Sequence, residues 1–187
     1  MPIPRLRLED TVLLVIDVQD RLMPTIVDRE RLITNCALLV SMAVQLDVPY
    51  LVSEQYPRGL GRTVDRIAAA MADQSRRIEK TRFSACIDLV QEQLAAWHRG
   101  NVLVAGIEAH ICVLQTVLDL QDRGWQCFVC SDAVSAAQRD QIPHALARMQ
   151  GSGAVITGVM SAMYELLGDA SHPSFRACLD LAKAISQ

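Results

Sequence analysis

Short apolar runs that do not alternate with polar residues recur along the chain, and they constrain its fold more than any other feature. The first, Val12-Leu-Leu-Val-Ile16, is rich in β-branched residues and is ended by Asp17. A strand with one wet face alternates apolar and polar side chains. A run without alternation is therefore expected where both faces are covered, as in a parallel sheet flanked by helices. Val48–Val52, Val102–Gly106, Gln126–Cys130 and Ala154–Ile156 read as further strands, Pro49 being tolerable at a strand start. Helical spacing fills the intervals: Arg31–Leu46, Ile87–Trp97, Ser135–Met149, Ser174–Ile185, and a segment in which Val113, Val117 and Leu120 share a face until Gly124. Gln55–Arg62, with Pro57, Gly59 and Gly61, reads as a loop. The alternation predicts an α/β fold, three α/β/α layers around a mainly parallel six-stranded sheet.

A length of 187 residues suits a single domain, 1–187, and 51% hydrophobic content supplies a core without metal or disulfide staples. Net charge is −3, with both signs interspersed. That offers no field for a phosphate backbone, so nucleic acid is not an expected partner. No apolar run is long enough for a signal-peptide core or a membrane span, so no membrane association and a cytoplasmic location are expected. In that compartment Cys36, Cys86, Cys112, Cys127, Cys130 and Cys178 read as buried thiols, or as one catalytic thiol, rather than as a disulfide framework.

In an open α/β sheet, ligands bind beyond the carboxyl ends of the strands. Asp17 directly follows the first strand, Ser53-Glu54-Gln55 the second, Gly106–Cys112 the third and Ser131-Asp132 the fourth. Cys112 arrives near a helix start, where the macrodipole and free N–H groups favour thiolate and can hold an oxyanion. A lone buried cysteine is otherwise a small hydrophobe, and on the residues alone the two readings stand level. Asp17 suits a general base at an apolar strand end, whereas Asp20 is better placed for a capping role ahead of Leu22. Lys80, in Arg77-Ile-Glu-Lys-Thr-Arg-Phe83, reads by default as part of a solvated basic face. Cys127-Phe-Val-Cys130 has CxxC spacing but lies inside a strand and reads as core. His98, His110, His144 and His172 lack metal-ligand spacing, and His110 can equally line a pocket, face solvent or meet a subunit. No glycine-rich nucleotide-binding motif follows any strand.

Three segments, in order and spacing, resemble the catalytic segments of the isochorismatase-like cysteine hydrolases: Ile16–Gln19, Glu79-Lys-Thr-Arg-Phe-Ser84 and Gly106-Ile-Glu-Ala-His-Ile-Cys-Val-Leu-Gln-Thr116. Ser53-Glu-Gln-Tyr-Pro-Arg-Gly-Leu-Gly61 resembles the subgroup of isochorismatase domain-containing proteins. The resemblance implies Asp17 as base, Lys80 as its cationic partner and Cys112 as nucleophile. It implies a cofactor-independent hydrolase of a small molecule, an amide being one option, with a covalent thiol intermediate. It further implies a cis peptide at Ile107–Glu108 and a homo-oligomer. Gln19, Gln55, Tyr56, Phe83, Ile107 and Glu108 are the candidate substrate-binding residues. The nicotinamidase branch carries Asp-x-His where this chain has Ser53-Glu54-Gln55, so no bound metal is expected. True isochorismatases generally lack the cysteine, which argues against isochorismate as substrate. Thr157-Gly158-Val159-Met160-Ser161 departs from the hydroxyl and acidic residues of many relatives. Two alternatives stand beside this reading: a non-catalytic interaction protein keeping the fold, and isochorismatase-type hydrolysis without a covalent step.

Overall fold

A computed structural model of the chain describes residues 3–185, with side chains as far as Lys183. Six strands, β1 (Thr11–Ile16), β2 (Tyr50–Gln55), β3 (Arg77–Lys80), β4 (Asn101–Gly106), β5 (Gln126–Val134) and β6 (Val155–Thr157), form one sheet in the order β3-β2-β1-β4-β5-β6. All five pairings are parallel. The helices are α1 (Arg29–Gln45), α2 (Pro57–Leu60), α3 (Asp65–Ala70), α4 (Asp88–Ala96), α5 (Leu114–Asp122), α6 (Gln141–Gly151), α7 (Val159–Leu167) and α8 (Phe175–Ile185).

Parity along the strands explains the missing alternation. Leu13 and Val15 of β1 pack with Leu32 and Leu39 of α1, Ile67 of α3, Met163 of α7 and Cys178 of α8. Val12, Leu14 and Ile16 pack on the opposite face, with Leu94 of α4, Val117 and Leu120 of α5 and Met149 of α6. Both faces of β1 are therefore dry, and each buried Val, Leu or Ile contributes about 1.5–3 kcal/mol.

The sixth strand is β3, an edge strand with one apolar residue in four, Ile78. Lys80 is 5% exposed, which corrects its reading as a solvated cation. β2 begins at Tyr50 and runs on to Gln55, so Ser53, Glu54 and Gln55 belong to the strand, and Pro57–Leu60 is a helical turn rather than loop. β5 likewise extends through Ser131 and Asp132. The helix expected over Ser135–Met149 starts only at Gln141, because Pro143 is accommodated within a first turn but not in a helix interior. No helix begins behind Asp20; the backbone instead makes a 3-10 turn at Met23–Thr25. The segment around Gly158, Val159 and Met160 forms the start of α7, where the Asp132 carboxylate accepts the Val159 N–H at 2.9 Å.

After β1 the chain adds β2 and then β3 on one side, and afterwards crosses back to lay β4 on the other side of β1. Beyond the carboxyl ends of β1 and β4 the connections diverge and leave a crevice. The two strands stay together up to the Ile16–Gly106 pair. A Cβ on Gly106 would lie 2.1 Å from the Ile16 carbonyl oxygen, and its φ of 121° is open to glycine alone. Glycine thus allows Asp17 and the segment leading to Cys112 to leave neighbouring strands at one point.

Candidate active site

Asp17 leaves β1 with a φ of 54°, a left-handed conformation that aspartate tolerates better than most residues. Its N–H donates to the Ser53 carbonyl at 3.1 Å, turning the side chain inward. One carboxylate oxygen accepts from Ser53 Oγ at 2.7 Å, and the other accepts from Lys80 Nζ at 2.6 Å. Both side chains of this ion pair are 1% exposed. Taking two charges out of water is repaid only when further hydrogen bonds surround them, and Lys80 has these. Its ammonium also donates to Gln55 Oε1 at 2.8 Å, to the Phe83 carbonyl at 2.9 Å and to the Arg82 carbonyl at 3.1 Å. The edge strand β3 is the means by which a cation from an otherwise polar segment reaches the sheet centre.

Cys112 lies in a π-helical turn, Ala109–Val113, that precedes α5. Thr116 holds this turn from below: its hydroxyl donates to the Cys112 carbonyl at 2.6 Å and accepts the Ala85 N–H at 2.8 Å. The peptide bond between Ile107 and Glu108 is cis. Burial, reinforced by the adjacent Asp17 carboxylate, pushes the Cys112 thiol up to about 12; Lys80 and the Glu108 backbone pull the other way without prevailing. This balance favours the thiol at neutral pH, against the pull expected of the helix start.

Asp17, Gln55, Glu108 and Cys112 line a cavity of about 140 Å³. Leu22, Leu60, Phe83, Ile107 and Ile111 close its other sides. Four of the six candidate pocket residues are thus brought together. Gln19 is not among them: it is 0% exposed and serves as a clamp, with Nε2 donating to the Gln55 and Gly61 carbonyls and Oε1 accepting the Gln55 N–H. Tyr56 instead lines a neighbouring open groove with Arg58 and Arg82. His110 Nδ1 is buried without a hydrogen-bond partner among the described residues, 3.7 Å from Glu108 Oε2. Glu108 Oε2 accepts the Ala137 N–H at 3.2 Å.

Sequence reasoning placed Ser53 and Glu54 at the rim without giving either a role, and it missed the walls Leu22, Leu60 and Ile111. Glu54 accepts from the Thr63 N–H and hydroxyl at 2.8 and 2.7 Å and from Arg62 at 2.8 Å. Burial would raise this carboxyl, but the Thr63 and Arg62 donors together hold it below its ordinary value. The network ties the segment after α2 to β2, beside the cavity. A buried acid within an apolar strand was the available signal for it.

An open parallel sheet with an acid, an amine and a thiol at its switch point defines an α/β protein built to bring reactive groups together. The chain belongs to the isochorismatase family of hydrolases: the isochorismatase domain profile matches residues 11–161. It is 37% identical to the mouse isochorismatase domain-containing protein 2A, over 94% of this chain and 84% of that protein. It is 38% identical to a secreted isochorismatase effector of Phytophthora sojae, over 96% and 87% of the two chains. The solved structure of the MAR1 ribonuclease from Caenorhabditis elegans superposes with a TM-score of 0.91 at 34% identity, covering 95% of this chain and 92% of that one.

Proposed function

We propose that the protein is a small-molecule hydrolase in which Cys112 is the nucleophile, Asp17 carries the proton and Lys80 is the cationic partner that holds Asp17 in place. The observation that carries this reading is the 2.6 Å Lys80–Asp17 pair, 1% exposed, whose aspartate lines the same cavity as the thiol. For an amide, Asp17 takes the thiol proton as Sγ attacks the carbonyl carbon. The C–S bond forms, the C–N bond breaks, and Asp17 returns the proton to the departing nitrogen. Water then attacks the thioester and gives a proton to Asp17. The C–S bond breaks, the carboxylic acid leaves, and sulfur recovers its proton. The N–H groups of His110 and Cys112 serve as the oxyanion donors, since those of Ala109, Ile111 and Val113 already donate to the Ser135 and Glu108 carbonyls. A thiol nucleophile needs no metal-activated water, so the reading includes no metal or other cofactor.

The test is ammonia release from a panel of small amides by the wild type and by Cys112→Ser. Turnover by the wild type and its loss in the variant are expected. Full turnover by Cys112→Ser would favour hydrolysis without a covalent step, and no turnover on any amide would favour an interaction protein. Six buried free thiols fit a reducing compartment, the cytoplasm. No helix among the described residues is long and apolar enough to cross a membrane. Self-association belongs to the same reading, supported by exposed Val44 on α1, Leu89 on α4 and Met160 and Tyr164 on α7. Light scattering should show a particle larger than the 20.6 kDa chain, and a monomer at micromolar concentration would remove this part of the reading.

A further inference from the structure

Resting on the hydrolase reading, we propose that the cavity selects uncharged primary carboxamides with a compact apolar acyl group and turns carboxylates away. Its charge census carries the argument. No lysine, arginine or histidine side chain is among the described residues lining it, whereas two carboxylates, Asp17 and Glu108, are. Lys80, just behind Asp17, has three N–H donors and already meets four oxygen acceptors, so none is left for a ligand. The nearby guanidinium of Arg62 is held by Glu54 at 2.8 Å and Glu79 at 2.6 Å, and that of Arg21 donates to the Gly59 carbonyl. Arg58 and Arg82 belong to the separate groove lined by Tyr56.

An anionic ligand would give up its hydration among leucine, isoleucine and phenylalanine side chains, gain no free cation, and meet the Glu108 carboxylate, the charge of Asp17 being already balanced by Lys80. A carboxamide carries no net charge to desolvate or repel, and its N–H₂ group has two donors to offer the Asp17 and Glu108 carboxylates. The volume of 140 Å³ equals about five water molecules in the liquid, which suits an acyl chain of a few carbons. Phe83 is 57% exposed at the cavity, with its carbonyl fixed by Lys80, so its ring is the side chain best placed to screen what enters. The same selection clears the product, because hydrolysis converts an accepted neutral amide into a rejected carboxylate.

Binding to Cys112→Ser separates selectivity from chemistry. Butyramide and butyrate have nearly the same shape and differ in charge at neutral pH. In thermal-shift titrations butyramide should raise the melting temperature, and butyrate should bind at least about tenfold more weakly. Phe83→Arg in the same background, checked for folding by circular dichroism, should narrow that gap by placing a cation at the entrance. Butyrate binding as tightly as butyramide, or neither binding, would overturn the proposal. Butyramide binding without turnover by the wild type would leave the selectivity standing and remove the mechanism. Wild-type turnover of the anionic amide succinamate as fast as butyramide would do the reverse.

Discussion

Asp17 and Lys80 act on Cys112 in opposite directions, and this gives each a separate signature. In the resting site burial and the Asp17 carboxylate keep the proton on sulfur, with a thiol pushed up to about 12. Replacing Asp17 by Asn removes the carboxylate and leaves the Lys80 ammonium to take the thiolate as its counter-ion. Asp17→Asn should therefore alkylate faster at Cys112 with iodoacetamide at pH 8, while losing amide turnover by about a hundredfold or more. Lys80→Ala should lose turnover and also alkylate more slowly. In the wild type Cys112 should still be labelled before the other cysteines, since it is 8% exposed and the others are at most 1% exposed. Its labelling rate should climb with pH through 9 without levelling off. Peptide mapping checks all three proteins; a rate already flat between about pH 6 and 8 would mean a resting thiolate and would sink this account.

At the scale of the elements, what the sequence displayed well was burial on two faces. Val12–Ile16 and Val102–Gly106 are β1 and β4 to within a residue, because a central parallel strand can be nothing but apolar. Edge and rim elements were less legible. β3 has only Ile78 to mark it, and its inward Lys80 looks in sequence like any surface cation, since burial of a charge depends on a partner 63 residues away. β2 was placed two residues early because Val48 is apolar, although it packs under the turn leading into the strand. Asp17 and Cys112 stand out by their places after strands and by resemblance, Lys80 by resemblance alone. Gln19 and Tyr56 were misplaced because side-chain direction after a strand is set by φ and by local clamps, neither of which composition reports. Leu22, Leu60 and Ile111 gave no signal at all: an apolar residue in a connection looks the same whether it faces a ligand or a neighbour.

Across the whole molecule, six buried thiols make stability sensitive to alkali. Burial raises Cys127 to about 12 and pushes Cys36, Cys86, Cys130 and Cys178 up as well. A thiol whose folded value is raised contributes stability that is complete below its ordinary value of 9.0 and is lost as pH rises toward the folded value. Each thiol can steepen the loss by up to about 1.4 kcal/mol per pH unit in that window. Urea midpoints should stay level from pH 7 to about 9 and fall beyond it, and Cys127→Ala should fall less steeply than the wild type. Parallel slopes for the two proteins would refute this. The strand order has a consequence in time as well. Asp17 emerges from synthesis well before Lys80, and Cys112 comes later still, so no fragment ending before β4 owns a complete set. Closing such long chain segments is slow compared with forming a helix. On the proposed reading, catalytic turnover therefore begins only when the middle of the sheet has been zipped, whereas the thiols themselves are most open to reagents before that.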